Sequence, residues 1–475
     1  MLLRNGNKMN YIGTRGFKDQ RSFAGALLDG LAPDGGLYVP ETWPHDETGF
    51  DLHAAAMGGY GDLTAQLLLT FGVGVLGPEA VMAAAHRTEA AFLRDGAVPL
   101  TRLEDDLYLL ELYHGPTHAF KDMAMQMMAP LTDAALSQRG EKLTLVTATS
   151  GDTGAAAVRA FAGSEHVKLI VFHPLGRVSP VQRLQMTTVQ ADNVLNVGVK
   201  GDFDDCQKIV KALLSEPSLK AQGLISSVNS INWGRLLGQV PYYLAAAAHS
   251  GLAKPEFVVP TGNFGDAFAG WVARQIGGNV GHLHAAVNRN DALNQAINNG
   301  RYVRRQAVET ASVSMDVQAP SNFERLVFEA SGRDADATRN LFDAFGQSGE
   351  VALSGNLQEA LKSEVSASTI SEEQTRATIK QAYERWGQVI CPHTAVALSA
   401  ALTRRETGEA TGGQIVLSTA HAAKFPAFVT EALGFEPKAP DAITDLYGLT
   451  ETLTEMPADI AAAVTTVKAF IEWID

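Results

Sequence analysis

Two rhythms of apolar and polar residues alternate along this chain of 475 residues. Residues 1–95 place apolar side chains mostly at helical spacing, broken by the turn Pro33-Asp34-Gly35-Gly36, and are predicted to form a helical N-terminal domain. From Leu107 the grammar changes. Short apolar runs stand at Leu107–Leu112, Lys142–Thr147, Val167–Phe172, Val194–Val199, Glu256–Val259 and Leu283–Val287, each followed by a Gly, Pro or Ser turn and then an amphipathic or Ala-rich helix. Such alternation predicts βαβ units over residues 96–475 and an α/β fold with a mainly parallel, doubly wound sheet. Between about residues 291 and 386 strand signals fade and charged helical patterns dominate, which predicts a mainly helical insertion. The tail returns to one apolar run, Gln414–Leu417, with a helix after it. Doubly wound sheets bind ligands in the crevice beyond the carboxyl ends of their strands, so function is expected in the strand-to-helix loops.

Composition narrows the class. Hydrophobic residues make up 46% and charged residues 19%, an ordinary globular balance. The 38 basic against 52 acidic residues give a formal charge of −14, which argues against a general affinity for nucleic acid or anionic membrane. Anionic small molecules are not excluded, because a site can be locally positive inside an acidic protein. The two cysteines, Cys206 and Cys391, are too far apart in sequence for a CxxC motif, and so few thiols in a long chain fit a reducing compartment. Met1–Asn10 lacks the apolar core of a signal peptide, and no apolar run reaches membrane-spanning length. A soluble, cytoplasmic protein is expected.

No Walker A sequence, HExxH or GxGxxG after a strand is present, and Thr149-Ser150-Gly151-Asp152 lacks the flanking glycines of a nucleophile elbow. His282 and His284 alternate on a predicted strand without further ligand spacing, which favours a strand-end pair over a metal site; no metal is expected. Three strand–loop–helix junctions remain. In the first, Glu111 to Asp122, Lys121 opens a Met-rich helix. The positive end of a helix disfavours the ammonium form and makes a neutral, nucleophilic amine easier to reach, as Schiff-base chemistry needs; taken alone, a solvated lysine opening a surface helix is the plainer reading of Lys121. The second is Thr147-Ala148-Thr149-Ser150-Gly151-Asp152-Thr153-Gly154 and the third Val258 to Asp266, containing Thr261-Gly262-Asn263-Phe264-Gly265. Glycines with helix N–H groups build anion sites, although each loop alone is also a capped helix start. Two such loops and an amine at neighbouring crevices suit a ligand carrying phosphate and carboxylate groups.

The run "HGPTHAFKDMAMQ" resembles the cofactor-lysine segment of the threonine synthase family, commonly GPTxAFKD, and "TSGDTGAA" and "VPTGNFGD" are similar to its two glycine loops. "YIGTRG", "NSINWGR" (Asn229–Arg235), "NRND" (Asn288–Asp291), "CPHTAVA" (Cys391–Ala397) and "LSTAHAAKF" (Leu417–Phe425) match further blocks in the same order over almost the whole chain. The resemblance implies a fold-type II pyridoxal 5′-phosphate (PLP) enzyme with two α/β lobes, preceded by the extra N-terminal domain of the longer, usually monomeric branch. It implies that Lys121 carries the cofactor, that Gly262, Asn263, Phe264 and Gly265 hold its phosphate, and that Thr419, with Ser418, faces the pyridine nitrogen. Two positions depart from the common pattern. Asp152 stands where many fold-type II relatives have Asn, and an ionised Asp accepts but cannot donate. Cys391 stands where the family often has Asp, and a buried small side chain is expected there rather than a reactive thiol.

The implied reaction turns O-phospho-L-homoserine and water into L-threonine and phosphate. The substrate phosphate then needs its own cradle, and Ser150, Thr153, Asn232 and Arg235 are the candidates, with Lys424 as the fallback. Arg235 has the strongest rationale, because its planar fork pairs with phosphate in two bonds; a helix-surface salt bridge is the alternative for it. A serine or threonine dehydratase on the same fold needs no second phosphate site, and a binding protein without turnover needs no reactive Lys121.

Overall fold

The computed structural model describes residues 9–44, 52–92 and 98–471. Two sheets carry the molecule. The larger runs, in spatial order, Val365–Thr369, Leu283–Val287, Glu256–Pro260, Gln414–Ser418, Leu107–Glu111 and Leu100–Glu104. All its pairings are parallel except the last, where Leu100–Glu104 returns antiparallel. The second sheet runs Thr454–Pro457, Val194–Lys200, Val167–Pro174, Leu143–Ala148 and Leu224–Ser226, parallel throughout. Central strands such as Leu143–Ala148 and Glu256–Pro260 are buried along their whole length, as strands covered by helices on both faces must be. The fold is a two-lobed fold-type II α/β arrangement.

The sequence pattern missed three strands in these sheets. Leu100–Glu104, Val365–Thr369 and Thr454–Pro457 are all edge strands, and their half-exposed, polar-rich patterns carry no continuous apolar run. The second of them lies within the stretch read as a helical insertion. That stretch holds the helices Phe323–Ala330, Ala335–Ser348, Gly355–Glu364 and Glu372–Trp386, yet it also completes the larger sheet. His282 and His284 face that added strand, where Ser366 and Ser368 hydroxyls lie 2.6 to 2.8 Å from their ring nitrogens. No cluster of metal-binding side chains occurs among the described residues.

The expected boundary at residue 95 lies outside the described residues. The N-terminal helices Phe23–Asp29, Tyr60–Thr70 and Pro78–Ala90 share one continuous apolar core with both sheets. Trp233, fully buried, is the hub of this junction: its ring meets Tyr11 at 5.7 Å, Phe71 at 6.0 Å and Trp43 at 6.1 Å. Asn232 beside it donates to Leu27 O at 2.8 Å and caps its own helix by accepting from Gly234 N at 2.9 Å.

The far end of the larger sheet is closed by a buried ion pair. Glu256 accepts from Arg404 Nε and Nη2, both at 3.0 Å, and from Gln414 Nε2 at 2.8 Å. These donors hold its carboxyl below the ordinary range although burial pulls the other way. Its contribution to stability is therefore present above the ordinary Glu range and is lost as pH falls through the lowered value. Glu256→Ala leaves the buried Arg404 with only the exposed carboxylate of Glu409 at 3.3 Å, so urea denaturation at neutral pH should show a loss of about 2–4 kcal/mol.

Candidate active site

Two parallel strands and their loops deliver Lys121. Leu107–Glu111 pairs with Gln414–Ser418 up to Glu111↔Ser418, and the loops that follow stay zipped together. Leu112 N donates to Ser418 O at 2.9 Å, Phe120 N to Thr419 O at 2.8 Å and His421 N to His118 O at 3.1 Å. The first residue of the helix Lys121–Arg139 thus lies beside Ser418, Thr419 and Lys424. Lys121 is buried, not an exposed helix opener. Burial leads in pushing its ammonium below the ordinary lysine range; Asp152 opposes, while Arg235 and Lys424 add to the effect.

One carboxylate organises this ground. Asp152 begins the helix Asp152–Phe161 after Gly151, whose φ of 134° favours glycine. It accepts from Lys424 Nζ at 2.7 Å, Gln182 Nε2 at 2.9 Å, Lys121 Nζ at 3.4 Å and Ser314 Oγ at 3.5 Å. Burial alone would raise its pKa, but the two lysines hold it far below the ordinary carboxylate range. Lys424 is fully buried, 0% exposed, and its ammonium also donates to Thr117 O at 2.7 Å. Two of its three donors are thereby used, which leaves it poorly placed as a fallback phosphate ligand.

Arg235 is different. It is 4% exposed, donates to Val228 O at 3.1 Å and to Thr153 Oγ1 at 3.4 Å, and has no carboxylate partner among the described residues. Its Nε is buried with no hydrogen-bond partner among the described residues, and burial pushes its pKa down to about 10. A helix-surface salt bridge is ruled out by this environment. Thr153 is therefore brought to Arg235, and Ser150 lies half-buried two residues before Asp152. Asn232 is not brought in: both ends of its amide are spent on Leu27 and Gly234. Spacing put it near Arg235, but its side chain turns to the N-terminal helix instead.

The loop Gly262–Gly265 lies between the strand Glu256–Pro260 and the helix Gly265–Gln275. None of its four amides donates to a hydrogen-bond acceptor among the described residues. Phe264 takes a left-handed φ of 62°, a strained conformation for a residue with a side chain. Gly262 is required by close approach: a Cβ there would sit 2.5 Å from the backbone oxygen of Ser314. Unspent amides at a helix start, a buried amine and a buried guanidinium with a bare N–H fit a phosphate-bearing aldehyde cofactor.

Comparison with known proteins places the chain in a family. Residues 93–345 match the pyridoxal-phosphate dependent enzyme family, residues 10–82 the threonine synthase N terminus and residues 394–471 the threonine synthase C-terminal region. The threonine synthase of Pseudomonas aeruginosa is 39% identical over 98% of this chain and 98% of its own. That of Corynebacterium glutamicum is 38% identical, again over 98% of each chain. The chain belongs to the threonine synthase family. The crystal structure of PLP-bound threonine synthase from Brucella melitensis superposes with a TM-score of 0.92 at 40% identity, covering 98% of this chain and 100% of that one. Membership makes this a PLP-dependent enzyme.

Cys391 has a local role of its own. It is the N-cap of the helix Pro392–Glu406, where its Sγ accepts from Thr394 N at 3.5 Å. Asp, expected there from the resemblance, is the stronger cap. Burial pushes the thiol pKa up, so it is not a reactive nucleophile. Gln182, Ser314 and His393 escaped the sequence reading. Gln182 looks like an ordinary capping-box residue, and it does cap with Ser179. Ser314 sits in the stretch read as helical, and His393 accepts from Ser314 N at 3.1 Å. No local pattern marks either.

Gly262→Ala tests the packing behind the loop. The added methyl meets backbone that cannot swing aside, so the thermal midpoint should fall by the equivalent of about 1–3 kcal/mol. Gly265→Ala should cost less, because its Cβ would meet the Asn322 side chain at 3.1 Å.

Proposed function

We propose that this protein is a threonine synthase that converts O-phospho-L-homoserine and water into L-threonine and phosphate. The observation that carries the proposal is Arg235, a cation buried beside Thr153 with no carboxylate partner and an unspent Nε among the described residues. With that loop given to the cofactor phosphate, Arg235, Thr153 and Ser150 form the second anion site that a γ-phosphate leaving group requires. A dehydratase of serine or threonine has no use for it.

PLP, when bound, supplies an electron sink for the negative charge left at the substrate carbon that bears the amino group. The chain's residues do the rest. Lys121 anchors the cofactor, and as an amine already held below its ordinary range it takes and returns the substrate Cα proton. Gly262, Asn263, Phe264 and Gly265 bind the cofactor phosphate through backbone N–H groups. Ser418 and Thr419 face the ring nitrogen; the Ser418 hydroxyl, 3.1 Å from Thr394 Oγ1, is already fixed. A hydroxyl there donates a hydrogen bond without the protonating pull of a carboxylate. Asp152, kept ionised by Lys424, offers an acceptor to any donor on the cofactor or substrate. Arg235 neutralises the departing phosphate where water is scarce.

No described helix is long and apolar enough to cross a membrane. We assign the enzyme to the cytoplasm as a monomer, which sedimentation of the purified chain tests. Incubated with O-phospho-L-homoserine, the purified protein should release threonine and phosphate in equal amounts. Ammonia from serine or threonine without phosphate release identifies a dehydratase instead. Borohydride treatment of the yellow protein, followed by peptide mass spectrometry, should place the reduced cofactor on Lys121; an adduct on any other lysine ends that assignment.

A further inference from the structure

A second buried arginine has no role in the site described above. Arg325 is 0% exposed, and among the described residues it makes no ion pair. Its neighbour Glu324 is engaged elsewhere, accepting from Thr14 Oγ1 at 2.6 Å and from Arg15 Nη2 at 2.8 Å. Burying an unpaired guanidinium is costly unless its N–H groups find good acceptors. Arg325 finds three, each from a different part of the chain. Nε donates to Tyr38 O in the N-terminal region at 3.0 Å, Nη2 to Ile231 O at 2.7 Å, and Nη1 to the side-chain oxygen of Asn322. The guanidinium also lies 5.6 Å over the Trp233 ring.

Asn322 is the reason for the arrangement. It is fully buried, and with its oxygen held by Arg325, its amide nitrogen can only face the other way. That nitrogen donates to Asn263 O at 3.2 Å and to Ser230 O at 3.1 Å, while Asn322 N donates to Asn263 O at 3.1 Å. Asn263 O belongs to the glycine loop, one residue before the strained Phe264. The ring of Phe323, next to Asn322, meets the Phe264 ring edge-on at 6.3 Å. The loop carbonyl is thus pulled back by two donors and the loop side chain is packed from the same short segment. The loop's carbonyl is thus spent behind it while its own amides have no acceptor among the described residues.

We propose that Asn322 and Arg325 are positioning residues for the phosphate loop: Arg325 orients the Asn322 amide, and Asn322 fixes the Asn263 carbonyl so that the Gly262–Gly265 amides converge on the cofactor's phosphate. The inference rests on the assignment of that loop to the cofactor phosphate. Charge-assisted donation from Arg325 polarises the Asn322 amide and strengthens its outward bonds. Supporting residues of this kind change affinity without touching the ligand.

Asn322→Asp separates positioning from folding. The carboxylate gives Arg325 an ion-pair partner, which supports the fold, but it cannot donate to Asn263 O or Ser230 O. Asn322→Ser, neutral and shorter, is the second variant if the first fails to fold. Each full-length protein is titrated with PLP by absorbance, with its urea midpoint measured alongside, and Gly265→Val serves as the control for the loop. The expected result is PLP affinity weakened about 10- to 100-fold in a variant at Asn322 that retains a folded, cooperative urea transition. Wild-type affinity in a folded Asn322 variant, with Gly265→Val impaired, overturns the inference and leaves the loop assignment standing. Wild-type affinity in Gly265→Val as well overturns the loop assignment and the inference with it.

Discussion

The shared carboxylate of Asp152 is the contact on which the site depends. Two buried lysines meet on it, Lys424 at 2.7 Å and Lys121 at 3.4 Å; Asp152 follows the strand Leu143–Ala148 of the second sheet, whereas Lys424 follows Gln414–Ser418 of the larger one. The pairing therefore locks the crevice between the sheets as well as setting its charge. Lys424 holds Asp152 ionised; Asp152 in turn keeps the buried Lys121 ammonium from being driven down further. Removing the carboxylate leaves two buried lysines without an ionic partner, a costly kind of buried-charge loss.

Even with Asp152 ionised, one buried cation is left without an ionic partner. Arg235 has no carboxylate, and the nearby Asp266 is pushed up to about 6 by burial while the Tyr242 and Tyr243 hydroxyls donate to it. A buried guanidinium without a carboxylate partner among the described residues is prepared for an anion brought from outside. Cofactor phosphate, substrate carboxylate and substrate phosphate meet that need. This is how a protein with a net charge of −14 comes to act on phosphorylated molecules: the acidic surplus lies elsewhere, and the field that matters to the ligand is local.

Much of this was legible in the chain. Buried parallel strands announce themselves as apolar runs, so Lys142–Thr147 and Glu256–Val259 were placed to within a residue at each end. Edge strands do not, and Thr454–Pro457, half polar and ending in proline, looks like a loop. Lys121 and both glycine loops stood out because turn chemistry leaves local marks. Contacts made across hundreds of residues leave none: Lys424 and Thr117 are 307 apart, and Ser314 lies 162 from Asp152. Asn232 shows the converse failure. Its position beside Arg235 suggested a ligand, yet only the docking of the Phe23–Asp29 helix reveals that its amide is already engaged.

The central claim is that Arg235 receives the leaving phosphate, and steady-state kinetics of Arg235→Ala test it most directly. PLP absorbance should be unchanged, while kcat/KM for O-phospho-L-homoserine should fall by roughly 30- to 1,000-fold, as expected when a charge-assisted contact worth about 2–4 kcal/mol is lost. Arg235→Lys should recover little, because the charge returns without the paired geometry. A near-normal kcat/KM in the alanine variant, with the cofactor retained, would contradict the account and move the phosphate site away from Arg235.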